Sequence, residues 1–342
     1  MRRKFLVLLF IFFAFSILIL LILRPYYLLL KSTLKISPLK TLLSWDSIRK
    51  VDNRTNILIL GIAGGTHEGS TLSDSIEVAN YDFAKNRLTT LGIPRDIWSS
   101  TLNDRINSAY AYGEAKQKGG GIKLAKAEVA SVIGIPIQYS VVIDFQGFEN
   151  LINYLDGIDV DIERSFTDKK YPIGGKEEDT CGGDKEFLCR YETISFNKGM
   201  AHMDGKNALK FVRSRNAIGE EGSDFARSRR QQKVLFAVKD KVTKIIQSLN
   251  ISRIEELYKY TDPIISRDIS NQQAAIIAKS IVFGRDFKQD TFALPRDFFD
   301  IPGSDSYDGR YVLIPKNSDY KTIHQYSACI FSAVDKKSCV IF

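Results

Sequence analysis

The stretch NILILGIAGGTHEGSTLSDSIEVANYDFAKNRLTTLGI, residues 56–93, sets the architecture of this chain. Residues 56–60 are a continuous apolar run closed by Gly61, which reads as a buried strand. Residues 75–81 alternate apolar with polar, residues 87–93 read as a third strand, and the turn over 82–86 makes the last two a hairpin. Further on, 123–133 predicts a helix, 139–143 a strand, 145–155 a helix and 158–162 a strand. Strands alternating with helices predict an α/β protein: a layered α/β/α domain around a central mixed sheet.

Residues 167–193 break this rhythm. They are rich in Gly, Lys, Asp and Glu, hold Cys181 and Cys189, and are too long for a plain connection, which predicts an exposed excursion pinned by its own bridge. Helical patterning resumes over 204–212 and 224–248, then weakens after Asn250 to one helix over 271–282 and a strand over 311–314. The expected organisation is a tail over 1–4, a membrane helix over 5–23, a stalk over 24–50, a main domain over 51–250 with the insertion 167–193, and a C-terminal extension over 251–342 packed on that domain.

The membrane helix rests on FLVLLFIFFAFSILILLIL, residues 5–23, which carries no charge and, at ~1.5 Å per residue, nearly spans a ~30 Å hydrocarbon layer. Arg2, Arg3 and Lys4 precede it, so the positive-inside rule places the N-terminus in the cytoplasm and the body outside the cytoplasmic membrane. Residues 23–27 offer no small-residue cleavage site, which favours an anchor over a cleaved signal peptide. The four cysteines suit that compartment. Cys181 with Cys189 and Cys329 with Cys339 are the economical disulfides, although spacing leaves other pairings open. The spacings fit no familiar zinc finger, and His67, His202 and His324 are scattered.

In 342 residues, 44% hydrophobic and 26% charged excludes collagen, wholesale disorder and a tiny disulfide-stapled scaffold. The 48 basic against 40 acidic residues give a net charge of +8, which favours anionic partners. The charge concentrates in Arg213 and Arg215, then Arg227, Arg229 and Arg230, beside Asp224, Gln231 and Gln232. Guanidinium forks match phosphate oxygens and stay charged at any workable pH. On a helix starting near Asp224, Arg227, Arg230 and Gln231 share a face, and the helix start adds free N–H groups and a positive dipole end. Residue chemistry alone balances a phosphate site against a solvated basic helix.

The wider pattern resembles the LytR-CpsA-Psr family of cell-wall enzymes. It is carried by GMAHMDGKNALKFVRSR (199–215) and DFARSRRQQ (224–232), with SDSI (73–76), GIPRD (92–96) and RINSAYAYG (105–113) upstream in order, and the GIDV core (157–160) of residues 148–160. The resemblance covers roughly residues 56–242. It implies a membrane-anchored phosphotransferase that moves a glycopolymer from an undecaprenyl-pyrophosphate carrier to peptidoglycan through a phosphodiester, close to membrane lipid. By the same carry-over, Arg95, Arg213, Arg215, Arg227 and Arg230 hold the pyrophosphate with Gln231 beside them. Asp74 binds Mg²⁺. Asp224 accepts the proton of the attacking hydroxyl or fixes Arg227, so that Asp224, Arg227 and Arg95 form the catalytic set.

Two positions depart from the family pattern. Ala63 stands where a second metal carboxylate is usual, and Leu72 where an arginine precedes the aspartate. Losing a carboxylate weakens Mg²⁺ binding unless Glu68, His67, water or substrate phosphate completes the shell. Residues 61–65, GIAGG, let backbone approach a phosphate or form a plain flexible turn. For Asn107 and Tyr110, packing is the better reading. The competing functions are a non-catalytic binder of polyprenyl phosphate or wall polymer, a carrier pyrophosphatase, and DNA binding. The last requires steep salt dependence, and the membrane helix puts the basic stretch on the wrong side, so no nucleic-acid partner is expected.

Overall fold

The computed structural model describes residues 2–43, 48–65, 69–176, 179–283, 286–303, 306–332 and 339. Helix α1 (Arg2–Leu28) continues through a π-helical turn, Leu29–Thr33. The stretch Phe5–Thr33 is long and apolar enough to cross a membrane, by length and composition. The stalk that follows is docked rather than free. Its short helix α2 (Pro38–Leu43) packs along a later helix: the Gln272 side chain accepts from the Ser37 amide at 2.8 Å and donates to Thr41 Oγ1 at 2.7 Å, while Asn271 donates to the Leu34 carbonyl at 2.8 Å.

The folded part runs β1 (Arg54–Ile62), β2 (Ser73–Asp82), β3 (Arg87–Gly92), α3 (Ala109–Lys116), α4 (Gly120–Ile133), β4 (Tyr139–Asp144), α5 (Phe145–Tyr154) and β5 (Ile158–Ile162). It continues through β6 (Phe166–Pro172), β7 (Tyr191–Phe196), β8 (Gly199–Met203), α6 (Gly205–Arg213), α7 (Asp224–Gln247), α8 (Ile251–Thr261), β9 (Ile265–Arg267), α9 (Asn271–Phe283), β10 (Lys288–Ala293) and α10 (Lys321–Ser332).

The main sheet is mixed and six-stranded, in the order β9-β4-β1-β2-β3-β10. The apolar strand β1 is central, parallel to β4 and antiparallel to β2, and the expected hairpin joins β2 to β3. One face, with Leu58, Leu60, Ile76, Val78 and Leu91, buries against Ala125, Val129 and Val132 of α4 and Ile323 and Ile330 of α10. The other face meets α9 at one end through Tyr81, Tyr139 and Ile276, and lies towards α5, α6 and α7 at the other. Those three helices share a second core with the β5–β8 ribbon, built on Ile152, Ile158, Phe211 and Val234.

Several expectations are corrected. Residues after 250 are no extension packed on a finished domain: β9 and β10 form the two edges of the sheet, and α10 fills its core. Helix α8 was hidden in the weak pattern, and of the strand expected over 311–314 only the end forms: Leu313 bridges Ile97, and a two-residue ladder pairs Phe299 and Asp300 with Pro315 and Ile314. Strand β5 pairs with β8 outside the main sheet. The segment 167–193 is an antiparallel hairpin of β6 and β7 whose far end carries the cysteines, and its root is buried rather than exposed. The disulfides are Cys181–Cys189 and Cys329–Cys339, the economical pairing.

Candidate active site

A cavity of about 240 Å³ opens between the sheet and the helices α5, α6 and α7. Its floor is the sheet face bearing Ile59, Gly61, Ser75, Glu77 and Ile143, and its walls carry Phe148, Leu151, Leu209, Val234 and Val238. Around this apolar trough stand Asp74, Arg95, Arg213, Arg215, Arg227 and Gln231, drawn from four separate stretches of chain.

Each is positioned by a local device. Strand β2 delivers Asp74, and its carboxylate pairs with the guanidinium of Arg95 in the loop after β3. That loop is tied down as the Asn107 amide donates to the Arg95 carbonyl at 3.3 Å, and Asp96 takes Arg105 at 3.1 Å. Asn107 and Tyr110 are themselves buried and line no part of the cavity. Arg213 closes α6, whose first turn is capped by Asp204 accepting from the Asn207 amide at 2.8 Å, and its guanidinium lies 4.5 Å from the centre of the Phe145 ring. Arg227 and Gln231 come from the start of α7, where Ser223 caps the helix by accepting from the Ala226 amide at 3.2 Å.

Arg215 shows that these cations converge. Arg215 keeps an exposed face, yet partial desolvation, then the positive charges of Arg95 and Arg227, hold its guanidinium below the ordinary arginine range. Like charges crowded in a partly buried site repel one another, and a bound polyanion relieves that repulsion. Arg215 therefore contributes little to the empty fold and much to anion capture.

Asp168 fixes this constellation, and sequence reading missed it within the supposed excursion. It is fully buried at the root of the β6–β7 hairpin. One carboxylate oxygen accepts from Ser214 Oγ at 2.8 Å and from the amides of Arg215 at 3.2 Å and Asn216 at 3.1 Å; the other accepts from the Lys170 amide at 2.9 Å. Asp168 thus pins the chain that bears Arg213 and Arg215.

Arg230 does not belong to the anion site. Its guanidinium donates to the carbonyls of Phe211 at 2.9 Å, Glu221 at 2.9 Å and Ser214 at 2.5 Å, and to the Glu221 carboxylate at 2.8 Å, and it lies 4.7 Å from the centre of the Phe166 ring. It is a strut that joins α7 to the end of α6. Arg229 approaches Glu221 at 3.6 Å and likewise lies away from the cavity. Asp224 begins α7, and its side chain lies outside the described residues, as do His67 and Glu68. In the 61–65 turn, Gly61 lines the cavity, while Gly64 has φ of +74° and faces Asp144 so closely that a Cβ would lie 2.8 Å from the aspartate Cβ. Gly64 thus serves the turn itself.

For a divalent cation the donor set is lean. Among the described residues, three carboxylates line the cavity: Asp74, Glu77 and Asp168. Asp168 is consumed by four hydrogen bonds, and Glu77 is buried within β2. Asp74 meets Arg95 through one oxygen only, leaving the second as a hard ligand. One carboxylate with substrate phosphate and water is a recognised Mg²⁺ environment, so the residues fit that ion at the lower limit of ligand number.

The LytR_cpsA_psr family model matches residues 31–327. Among curated proteins, the chain is 26% identical over 286 residues to the regulatory protein MsrR of Staphylococcus aureus (strain Mu50), covering 81% of this chain and 75% of MsrR. It is 28% identical over 266 residues to the polyisoprenyl-teichoic acid–peptidoglycan teichoic acid transferase TagV of Bacillus subtilis (strain 168), covering 78% of this chain and 59% of TagV. Among solved structures, the fold is similar to B. subtilis TagV (TM-score 0.56, 24% identity, 84% of this chain and 100% of that one). It is also similar to TagT bound to LI-WTA (TM-score 0.54, 20% identity, 84% of this chain and 95% of that one).

Proposed function

The chain belongs to the LytR_cpsA_psr family, and from that premise we propose that it is a membrane-anchored transferase attaching a glycopolymer to the cell wall. In the finer reading, the donor is an undecaprenyl-pyrophosphate-linked polymer and the acceptor a peptidoglycan hydroxyl, with the N-terminus inside and the folded body outside the cytoplasmic membrane. The single observation that carries this reading is an amphiphilic cavity: four guanidiniums, those of Arg95, Arg213, Arg215 and Arg227, stand with a few other polar groups around a trough walled mainly by aliphatic and aromatic side chains. A lipid-linked pyrophosphate has that same division of charge and hydrocarbon. The TagV name adds support, since that relative is a teichoic acid transferase.

In the proposed reaction the acceptor oxygen attacks the phosphorus that bears the glycan. A new P–O bond forms, the bond to the bridging oxygen breaks, and lipid phosphate leaves with that electron pair. The hydroxyl proton passes to a base, for which Asp224 at the start of α7 is the candidate. Arg95, Arg213, Arg215 and Arg227 hold the non-bridging oxygens and neutralise the charge growing on the leaving phosphate, with Gln231 donating beside them. Asp74 would hold Mg²⁺, which when bound would supply further neutralisation of phosphate charge. The apolar walls seat the tail and keep water from the reacting phosphorus.

Incubating the full chain in detergent micelles with a lipid-linked pyrophosphate glycan, wall fragments and Mg²⁺ tests this. Lipid phosphate and a wall-linked product are expected together. Release without linkage identifies a pyrophosphatase, and binding without release identifies a receptor. The lean metal site gives a second expectation: Ala63→Asp restores a carboxylate beside β1 and tightens half-saturation by Mg²⁺ roughly tenfold, because affinity follows ligand charge count. Titration of Mg²⁺ against turnover checks it.

A further inference from the structure

Glu77 is a buried carboxyl that the proposed chemistry does not use. It lies in the middle of β2, is only 6% exposed, and lines the same cavity as the arginines. Strand register places it between Ile59 of β1 and Gly92 of β3, neither of which brings a charge or a side-chain donor. Its Oε1 is fully buried and has no hydrogen-bond partner. It shares a sheet face with Ser75, two residues and ~6.8 Å away along the strand, so it is set back from Asp74 along β2.

The surrounding charged groups do not compensate it. Among the described residues that line the cavity these are Asp74 on the same strand, Arg95 after β3, Asp168 on β6, Arg213 and Arg215 at the end of α6, and Arg227 on α7. Asp74 is paired with Arg95 and Asp168 is held by Ser214 and backbone amides. Burial alone pushes the Glu77 carboxyl up to about 7, with no contribution from any arginine. Glu77 stands beside Ile59, an apolar part of the cavity floor, three residues along β2 from Asp74.

We propose, resting on the lipid-donor reading above, that Glu77 is a specificity-determining residue of the tail-binding stretch: hydrocarbon seats over its neutral carboxyl only, so that capture of a polyprenyl phosphate takes up one proton. The reason is desolvation. A tail laid along β2 removes the remaining water from this group, and an unpaired carboxylate against hydrocarbon is strongly disfavoured. The balance is one proton from solvent to the Glu77 carboxylate as the tail enters, released again when the lipid phosphate leaves. The consequence is an affinity that favours a mildly acidic surface over an alkaline one.

The test measures binding of undecaprenyl phosphate to the full chain in detergent micelles at about pH 6 and about pH 8, for the unchanged protein, Glu77→Gln and Glu77→Met. Because the ligand titrates too, the quantity read is the affinity of the unchanged chain relative to Glu77→Gln. That ratio is expected to fall roughly tenfold from the lower to the higher pH, the loss that follows when one group must be protonated with the value near 7. Glu77→Met is expected to track Glu77→Gln across pH and to bind more tightly than the unchanged chain at the higher pH. Inorganic pyrophosphate, which has no tail, is expected to bind all three alike, which also shows that the variants are folded. A pH-flat ratio with lipid bound, or a pyrophosphate affinity that depends on residue 77, overturns the proposal alone. Failure of all three chains to bind the lipid while pyrophosphate still binds overturns the lipid-donor reading, and the proposal with it.

Discussion

Replacing Arg215 by methionine is expected to cut transfer by roughly 10²–10³-fold, the usual cost of removing one preorganised donor from a developing negative charge. Methionine keeps most of the apolar stem and removes only the charge. The expected signature is therefore a split between two measurements. Turnover collapses, while the thermal midpoint stays level or rises, because the guanidinium is held at a cost by partial desolvation and by the charges of Arg95 and Arg227. An ordinary structural arginine gives the opposite result. Arg230→Met removes the donor to the carbonyls of Phe211, Glu221 and Ser214, and is expected to lower the thermal midpoint first. Turnover by Arg215→Met close to that of the unchanged chain would remove the anion site from this cavity.

The second large effect is at Asp168. Alanine there strands the buried Ser214 hydroxyl and the part-buried amides of residues 170, 215 and 216. Leaving these four donors without their acceptor costs about 3–5 kcal/mol, on the scale of breaking a buried ionic network. Asparagine keeps one accepting oxygen and should lose about half as much. Urea unfolding measures that order. A purely structural role stops there, whereas a positioning role predicts more: at a temperature where Asp168→Asn is fully folded, its affinity for the lipid-linked donor weakens, and amide exchange at Arg215 and Asn216 speeds up while that of α4 does not. Unchanged exchange at those amides would reduce Asp168 to a packing residue.

These two positions show how far residue patterns reach. Arg213, Arg215 and Arg227 were legible because their type and clustering already specify phosphate chemistry. Asp168 was not, since an aspartate followed by two lysines in a polar run reads as surface; its burial exists only because β6 and β7 pair and the loop after α6 lies across them. Glu77 left a faint signal, an acid between the apolar Ile76 and Val78 of β2, which becomes informative only when the helices above that strand are known. Arg230 was misplaced for a geometric reason. With 3.6 residues per turn, Arg230 and Gln231 fall on opposite sides of Arg227, about 100° apart. A single cavity takes one side, and it took Gln231.

By itself the amino-acid sequence determined the apolar N-terminal helix, the central strands with their hairpin, and the cationic residues of the site, because each is a matter of local period or of side-chain chemistry. Tertiary structure alone decided that β9 and β10 complete the sheet at its two edges, that Asp168 rather than solvent meets the Arg213–Asn216 segment, and which arginine turns inward to brace the fold. Edge strands pair with partners far away in the chain, and the fate of a charge depends on what is laid over it; neither is encoded within the few residues around it.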